Sequence, residues 1–207
     1  MTYSKPLQQL ANRIEDRSAL VAIVGLGYVG LPLVRAMHHA GFRVLGYDRD
    51  KKKIDKLERG ENYLEHLGDE LAPMLAASDR FRATTDSTAL AEADAIVLCV
   101  PTPLGKHNEP DMSFIVDSTN MVAETLRPGQ LVTLESTTYP GTTRGDCLPI
   151  LEAKGLKCGE DFALAYSPER EDPGREDQST HTIPKLVGGI DAACTELATS
   201  MYRAAIE

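Results

Sequence analysis

The chain has 207 residues, 42% hydrophobic and 26% charged, which is enough for one or two domains with a well-buried core. Its 31 acidic residues against 22 basic ones give a formal net charge of -9, which disfavours binding to nucleic-acid phosphates. The longest nearly apolar stretch, residues 20–34, contains glycine and proline and is shorter than the roughly 18–20 residues of a membrane span. We therefore expect a soluble protein that binds neither nucleic acid nor membrane.

The N-terminal sequence and the cysteines both indicate the cytoplasm. The first ten residues lack the apolar centre of a secretory signal. The four cysteines form no C-x-x-C pair and lack the histidine spacing of a zinc site, so we expect reduced thiols and no bound metal. These cysteines are Cys99, Cys147, Cys158 and Cys194.

Strands and helices are predicted to alternate along the chain. An amphipathic helix over residues 4–17 comes first, as a separate N-terminal element of residues 1–19. Strands are predicted at 20–24, 43–47, 81–84, 95–100, 131–135, 162–166 and 185–189. Helices are predicted at 28–40, 49–59, 87–93 with Ser87 as N-cap, 113–126, 141–154 and from Asp191 onward, with an irregular helical excursion over 61–79 that breaks near Gly68 and Pro73. This alternation predicts βαβ units, and hence a doubly wound α/β domain with a parallel sheet over residues 20–207.

A glycine-rich turn, G-L-G-Y-V-G, follows the first predicted strand and opens a helix. Gly25 would permit a tight turn, Gly27 a close approach of the backbone to a pyrophosphate, and Gly30 close packing of the helix on the strand. The pyrophosphate would lie at the helix N-terminus. Such glycines also occur in ordinary turns, but Asp48 ends the next strand 18 residues after Gly30, near the spacing of a ribose-binding acid. The pattern predicts a Rossmann-type dinucleotide-binding domain.

Asp48 favours NAD over NADP, because a carboxylate that binds the ribose 2′-hydroxyl would repel a 2′-phosphate. Arg49 argues against this preference for NAD, since an arginine at that position can bind the 2′-phosphate of NADP. It could equally stack on the adenine or point to solvent.

Three further loops follow predicted strands and should meet at the same edge of the sheet. They are V-P-T-P from Val100, E-S-T-T-Y-P-G-T-T from Glu135, and S-P-E-R-E-D-P-G from Ser167. The hydroxyls of Thr102, Ser136 and Thr137 could bind ribose or phosphate, or could cap helices. Glu169 and Arg170 combine a candidate base or water-positioning carboxylate with a candidate anion clamp, with a surface ion pair as the alternative.

Taken together, the glycine turn, the D-R-D-K-K-K-I segment at 48–54 and these three loops span about residues 20–190. In this order they resemble the UDP-glucose/GDP-mannose dehydrogenase family. The S-P-E-R-x-x-P-G form is similar to the UDP-N-acetylhexosamine 6-dehydrogenase branch. The UDP-glucose enzymes of the family have a second acidic residue after their S-P-E-F-L motif. That position is Pro173 here, so Glu169 is the one residue of this loop that matches an acid of that pattern.

The resemblance implies a role for each matching residue. The pyrophosphate would be held by Gly25, Gly27, Tyr28, Val29 and Gly30, the ribose by Asp48, the adenosine side by Arg49 and Lys53, and the nicotinamide side by Thr85, Pro101, Thr102 and Thr137. Glu169 would position or activate the water that hydrolyses a thioester, and Arg170 would reach toward the substrate.

The resemblance also implies a longer protein. Family members are about twice this length and carry a sugar-nucleotide domain with a lysine, an asparagine and a nucleophilic cysteine that none of the four cysteines here matches. We therefore expect the NAD-binding part of an enzyme, a homodimer at full length, that oxidises the C6 hydroxymethyl of a UDP-N-acetyl sugar to a carboxylate in two NAD-dependent steps. A non-catalytic NAD-binding module is the alternative, and a hydroxyacid dehydrogenase is disfavoured by the last two loop motifs.

Overall fold

The fold, seen in a computed structural model that describes residues 3–105, 109–168 and 185–206, is a seven-stranded sheet flanked by helices. The strands are β1 (Leu20–Val24), β2 (Arg43–Tyr47), β3 (Phe81–Thr84), β4 (Ala95–Leu98), β5 (Leu131–Leu134), β6 (Ala163–Tyr166) and β7 (Gly188–Gly189). The α-helices are α1 (Lys5–Glu15), α2 (Gly30–His39), α3 (Lys51–Glu58), α4 (Leu71–Ala76), α5 (Ser113–Thr125), α6 (Leu148–Glu152) and α7 (Ala192–Ala205). Short 3-10 helices occupy Glu65–Leu67 and Ser87–Glu92, and a π-helical turn at Thr143–Cys147 leads into α6.

The strand order is β3-β2-β1-β4-β5-β6-β7, with parallel pairing from β3 through β6. This order confirms the predicted doubly wound sheet, whose strand order reverses between β1 and β4. The parallel direction expected for the last strand is wrong, because β7 pairs antiparallel with β6. A parallel neighbour needs a crossover element, whereas the sequence between these two strands predicts only a polar loop.

Both faces of the sheet are covered, as the apolar strand sequences require. In β1, Val21 and Ile23 belong to one buried cluster, and Leu20, Ala22 and Val24 belong to the other. The first cluster also takes in α1, α2 and α7, and the second takes in α5 and α6. Each strand with two buried faces reads as a continuous apolar run rather than an alternating one.

The N-terminal helix packs into this domain. Ser4 caps α1 by accepting a hydrogen bond from the Leu7 backbone N–H, and the apolar face of α1 is buried in contact with α7. The helix ends earlier than predicted, because Arg17 adopts a positive φ of 65°. Asp94 accepts hydrogen bonds from Arg13 of α1 and from the first backbone N–H of β1, which ties the helix to the sheet.

Several local predictions differ from the structure. Asp86, not Ser87, caps the 87–92 helix, because its carboxylate accepts from the Thr88 N–H at 2.9 Å. Gly68, with a positive φ, ends the first excursion helix as expected. Pro73 does not break α4, because it occupies the first turn, where its missing N–H removes no helical hydrogen bond. Among the described residues, no helix is long and apolar enough to cross a membrane.

Candidate functional site

A cavity of about 620 Å³ opens at the carboxyl ends of β1, β2 and β4, where the strand order reverses. This is the edge at which open α/β sheets bind ligands, and the volume suits a small-molecule ligand. The turn after β1 contributes Gly25, Gly27, Tyr28 and Val29, the end of β2 and the start of α3 contribute Tyr47, Asp48, Arg49, Asp50 and Lys53, and the end of β4 contributes Cys99, Val100 and Pro101.

The three glycines of the turn meet three different constraints. Gly25 has a φ of 95°, and a Cβ there would lie 2.3 Å from the Cys99 carbonyl oxygen. A Cβ on Gly30 would lie 1.8 Å from the Gly25 carbonyl oxygen, so the start of α2 rests directly on the turn. A Cβ on Gly27 would meet nothing within 4 Å, although Gly27 lines the cavity. The backbone at Gly27 is therefore open to a ligand at the N-terminus of α2, where N–H groups and the helix dipole favour an anion.

Asp48 is a buried carboxylate held in a fixed orientation. It is 6% exposed and accepts hydrogen bonds from the Leu26 N–H at 2.9 Å, the Asp50 N–H at 2.9 Å and Lys53 Nζ at 2.8 Å. Burial raises the pKa of Asp48, but the hydrogen bonds from Lys53 and the two backbone groups outweigh it, so its pKa lies below the ordinary value. An ionised carboxylate has about four acceptor positions, so one remains for a ligand hydroxyl.

One wall of the cavity comes from α5, which sequence reasoning did not assign to the site. Its lining residues are Phe114, Asp117, Ser118 and Met121. The Arg49 guanidinium lies 5.0 Å from the centre of the Phe114 ring, a cation–π distance. The i, i+3, i+4, i+7 spacing of these four residues is the signal that could have identified a helix face directed at the site.

The other predicted site residues fall into three groups: some line the cavity, some lie outside its lining, and two lie outside the described residues. Tyr28, Val29, Lys53 and Pro101 line the cavity. Thr85 and Thr137 are exposed and Thr102 is half-buried, all outside the cavity lining. Ser136 is buried, and its hydroxyl accepts from the Val100 N–H at 3.2 Å and donates to the Val100 carbonyl at 2.8 Å, which fastens the ends of β4 and β5. Glu169 and Arg170 lie outside the described residues.

Comparison with known proteins decides the family of this fold. The NAD binding domain of the UDP-glucose/GDP-mannose dehydrogenase family matches residues 19–206. The chain belongs to this family. As a UDP-glucose/GDP-mannose dehydrogenase domain it uses NAD as cofactor, and the open backbone at Gly27 and the ionised Asp48 fit that cofactor.

Individual relatives support the same assignment. The chain is 38% identical to a UDP-N-acetyl-D-glucosamine 6-dehydrogenase of Pseudomonas aeruginosa over 88% of its length, and 35% identical to Protein CapL of Staphylococcus aureus over 90%. It covers 43% of each of these proteins, so it spans less than half the length of the curated relatives it matches. The crystal structure of the NDP-N-acetyl-D-galactosaminuronic acid dehydrogenase from Methanosarcina mazei Go1 superposes with a TM-score of 0.85 at 36% identity, covering 100% of this chain and 46% of that one.

The cysteines of this dehydrogenase domain are enclosed to different degrees. Cys99, predicted within a strand, lies just beyond β4 and lines the cavity with 7% exposure. Burial raises the pKa of Cys147, which Thr119 contacts across 3.7 Å. Cys158 and Cys194 approach each other with their sulfurs 3.8 Å apart. In the described ranges, no group of three or more His, Cys, Asp or Glu side chains is arranged to hold a metal.

Proposed function

We propose that this chain is the cofactor-binding half of an NAD-dependent UDP-N-acetylhexosamine 6-dehydrogenase. The complete enzyme would oxidise the C6 hydroxymethyl of a UDP-hexosamine to a carboxylate in two hydride transfers. The observation that carries the proposal is the cavity at the ends of β1, β2 and β4, with the open Gly27 backbone on one side and Asp48 on the other. Two relatives named above act, by their names, on N-acetylated sugar nucleotides.

In this proposal the residues of the cavity bind and orient the dinucleotide. The turn from Gly25 to Gly30 receives the pyrophosphate, and Asp48 accepts a hydrogen bond from the adenosine ribose with the acceptor position left by its three present partners. Arg49 and Lys53 flank the adenosine side. Bound NAD supplies the hydride acceptor, and the fold supplies its orientation.

The nicotinamide side is assigned to the loops beyond β3, β4 and β5. Pro101 already borders the cavity, while Thr85, Thr102 and Thr137 lie outside its lining and would have to meet a ligand that extends past it. We keep Glu169 as the residue that positions the hydrolytic water, and Arg170 as a substrate contact. The buried Ser136 supports the β4 and β5 loop ends rather than offering a free hydroxyl to NAD.

The second oxidation requires a covalent thiohemiacetal, which needs an accessible, activated cysteine thiolate. Cys147 and Cys194 are buried, and burial raises the pKa of the Cys147 thiol. We assign the nucleophilic cysteine, the sugar pocket and the dimer contact to the rest of a longer homodimeric protein, and keep the cytoplasm as its expected location.

Calorimetric titration of the purified chain tests the cofactor half of the proposal. We expect NAD to bind with modest affinity and NADP to bind more weakly, because Asp48 opposes a 2′-phosphate. Absence of NAD binding at millimolar NAD, or tighter binding of NADP than of NAD, would contradict the proposal.

An assay of NADH formation tests the enzymatic half of the proposal. The longer gene product should form NADH with UDP-N-acetylglucosamine or UDP-N-acetylgalactosamine in preference to UDP-glucose, whereas the 207-residue chain should form none, because substrate positioning contributes many kcal/mol to such rates. Turnover by the short chain that disappears when one of its own cysteines is replaced would refute this division of the chemistry. A longer product that binds NAD but oxidises no UDP-sugar would instead favour the non-catalytic module.

A further inference from the structure

We propose that Cys158 and Cys194 form a dithiol site that reacts with small-molecule disulfides and closes to an intrachain disulfide. The two residues are 36 positions apart in sequence, yet their sulfurs lie 3.8 Å apart. Cys158 is part of the turn before β6, and Cys194 lies in the first turn of α7. The site is independent of the proposed dehydrogenase activity.

The turn that carries Cys158 lies close to the N-terminus of α7. Gly159, next to Cys158, has a φ of 85°, and a Cβ there would lie 2.4 Å from Asp191 Oδ2. The same Asp191 caps α7 by accepting from the Cys194 N–H at 2.7 Å. The Cys158 turn therefore lies close to the residue that caps the helix of Cys194, which brings the two thiols near each other. Bond formation needs the sulfurs to close from 3.8 Å to about 2.05 Å.

The two thiols are unequal in exposure. Cys158 is half-buried and can meet a small reagent, whereas Cys194 is fully buried behind it. The two thiols are within hydrogen-bonding distance, and either sulfur can be the donor. Because Cys158 is the more exposed of the two, its sulfur meets the reagent first, and the Cys194 sulfur, 3.8 Å away, is placed to attack the Cys158 sulfur once that sulfur has been modified.

The reaction balances with one disulfide such as oxidised glutathione as the oxidant. Cys158 Sγ attacks one sulfur of the reagent, the reagent S–S bond breaks, and the first small thiol leaves with the Cys158 proton. Cys194 Sγ then attacks Cys158 Sγ, the mixed disulfide bond breaks, and the second small thiol leaves with the Cys194 proton. The two cysteine sulfurs are oxidised by two electrons in total and the reagent is reduced by two.

The location of the pair predicts its effect on the domain. Cys158 forms a bridge with Phe162 just before β6, at the amino ends of the parallel strands, whereas the cofactor cavity lies at their carboxyl ends. The cross-link should therefore raise the thermal midpoint, by about 5 °C or more from the constraint on the unfolded chain, and should leave NAD affinity unchanged within about twofold.

Mass spectrometry of the purified chain after incubation with oxidised glutathione tests the proposal. Each of the four cysteines lies on a different tryptic peptide, and Cys158 and Cys194 lie on peptides 158–170 and 186–203. We expect these two peptides to be joined, the intact mass to fall by two hydrogen atoms, and dithiothreitol to reverse both changes. Joined peptides of other cysteines, a glutathione adduct on Cys158 that persists without closure, or no reaction would each overturn the proposal.

Two variants sharpen the test. Cys194→Ser removes the inner sulfur, so the chain should accumulate one glutathione on Cys158. Cys147→Ser removes a buried thiol on the other face of the sheet and should leave the 158–194 cross-link intact. The result on the wild-type chain decides the proposal even if one of the variants folds poorly. Loss of NAD binding with normal cross-linking would count against the proposed function alone.

Discussion

Lys53 donates a hydrogen bond to Asp48 across 2.8 Å, from the first turn of α3 to the residue that follows β2. Asp48 is 7% exposed at its side chain and Lys53 is 32% exposed, so the pair forms at the wall of the cavity rather than on the open surface. A carboxylate that disfavours a 2′-phosphate therefore stands beside a cation that would attract one. In the proposed function, the preference between NAD and NADP would depend on the balance of these two charges.

The first prediction concerns that balance. Asp48→Asn keeps the side-chain shape and removes the negative charge, so the difference in binding free energy that favours NAD over NADP should fall by about 1–2 kcal/mol, on the scale of a hydrogen bond to a charged group. Calorimetric titration with both dinucleotides measures the ratio of the two affinities. Asp86→Asn is the matched control, since Asp86 also follows a strand and accepts from the N–H two residues on, but is exposed and outside the cavity lining. An unchanged ratio in Asp48→Asn would remove Asp48 from the ribose site.

A second prediction follows from the lowered pKa of Asp48. A carboxyl whose pKa is lower in the folded state stabilises the fold above its unfolded value, about 3.9, and this contribution is lost as the pH falls through the folded value. The unfolding free energy of the wild type should therefore exceed that of Asp48→Asn by a constant amount at neutral pH, and the difference should shrink below about pH 4. Urea denaturation at several pH values measures it. A difference that grows on acidification would mean that the Asp48 pKa is raised.

The sequence was sufficient for the parts of the site that depend on backbone order. The glycine turn and Asp48 were placed at the correct strand ends because a buried apolar run, its glycines and the next strand are contiguous in the chain. The wall of α5 was not found, because Phe114 reaches the cavity only through the crossing of a helix over the sheet. The strand predicted at 185–189 is present as the shorter β7, but its antiparallel direction was not predicted, since a two-residue strand carries no signal of its direction.

The glycine turn gives a third prediction. Gly30→Ala should lose about 1–3 kcal/mol of stability or more, because its new methyl group would collide with the Gly25 carbonyl, a backbone atom. Gly27→Ala should remain within about 0.5 kcal/mol of the wild type, because its methyl group meets no protein atom within 4 Å. It should nevertheless weaken NAD binding by about tenfold, since the methyl group enters the cavity. Normal NAD affinity in a stable Gly27→Ala chain would place the pyrophosphate elsewhere.

A buried cluster at the end of β5 gives a fourth prediction. Glu135, 3% exposed, pairs with Lys185 and accepts from the Tyr202 hydroxyl at 2.5 Å, and the ammonium lies 5.0 Å from the Tyr202 ring centre. Lys185→Met should cost about 3–5 kcal/mol, because a buried carboxylate loses this cation. The double variant Glu135→Leu with Lys185→Met should recover most of that loss.

The control for this cluster is Lys154→Met, which removes an exposed ion pair with Glu124 and should stay within about 0.5 kcal/mol of the wild type. Chemical denaturation of all four chains gives the free energies. A Lys185→Met loss no larger than that of Lys154→Met would show that the buried pair adds nothing to stability.

The last prediction concerns Arg49 and Phe114. The guanidinium lies over the ring at 5.0 Å, and both side chains line the cavity between the end of β2 and α5. A planar base that enters this region can stack on either group, so Phe114→Leu, which keeps an apolar side chain but removes the ring, should weaken binding of NAD and of ADP-ribose by about 0.5–1.5 kcal/mol. Nicotinamide mononucleotide, which lacks the adenosine, should bind as it does to the wild type.

A double-mutant cycle tests the contact between Arg49 and Phe114. The summed losses of NAD binding energy in Arg49→Met and Phe114→Leu should differ from the loss in the double variant by at least about 0.5 kcal/mol. The control is Arg82→Met, at an exposed arginine paired with Glu92, whose effect should add to that of Phe114→Leu. Additive effects for Arg49 and Phe114, or equal losses for nicotinamide mononucleotide and ADP-ribose, would move the adenosine away from this wall.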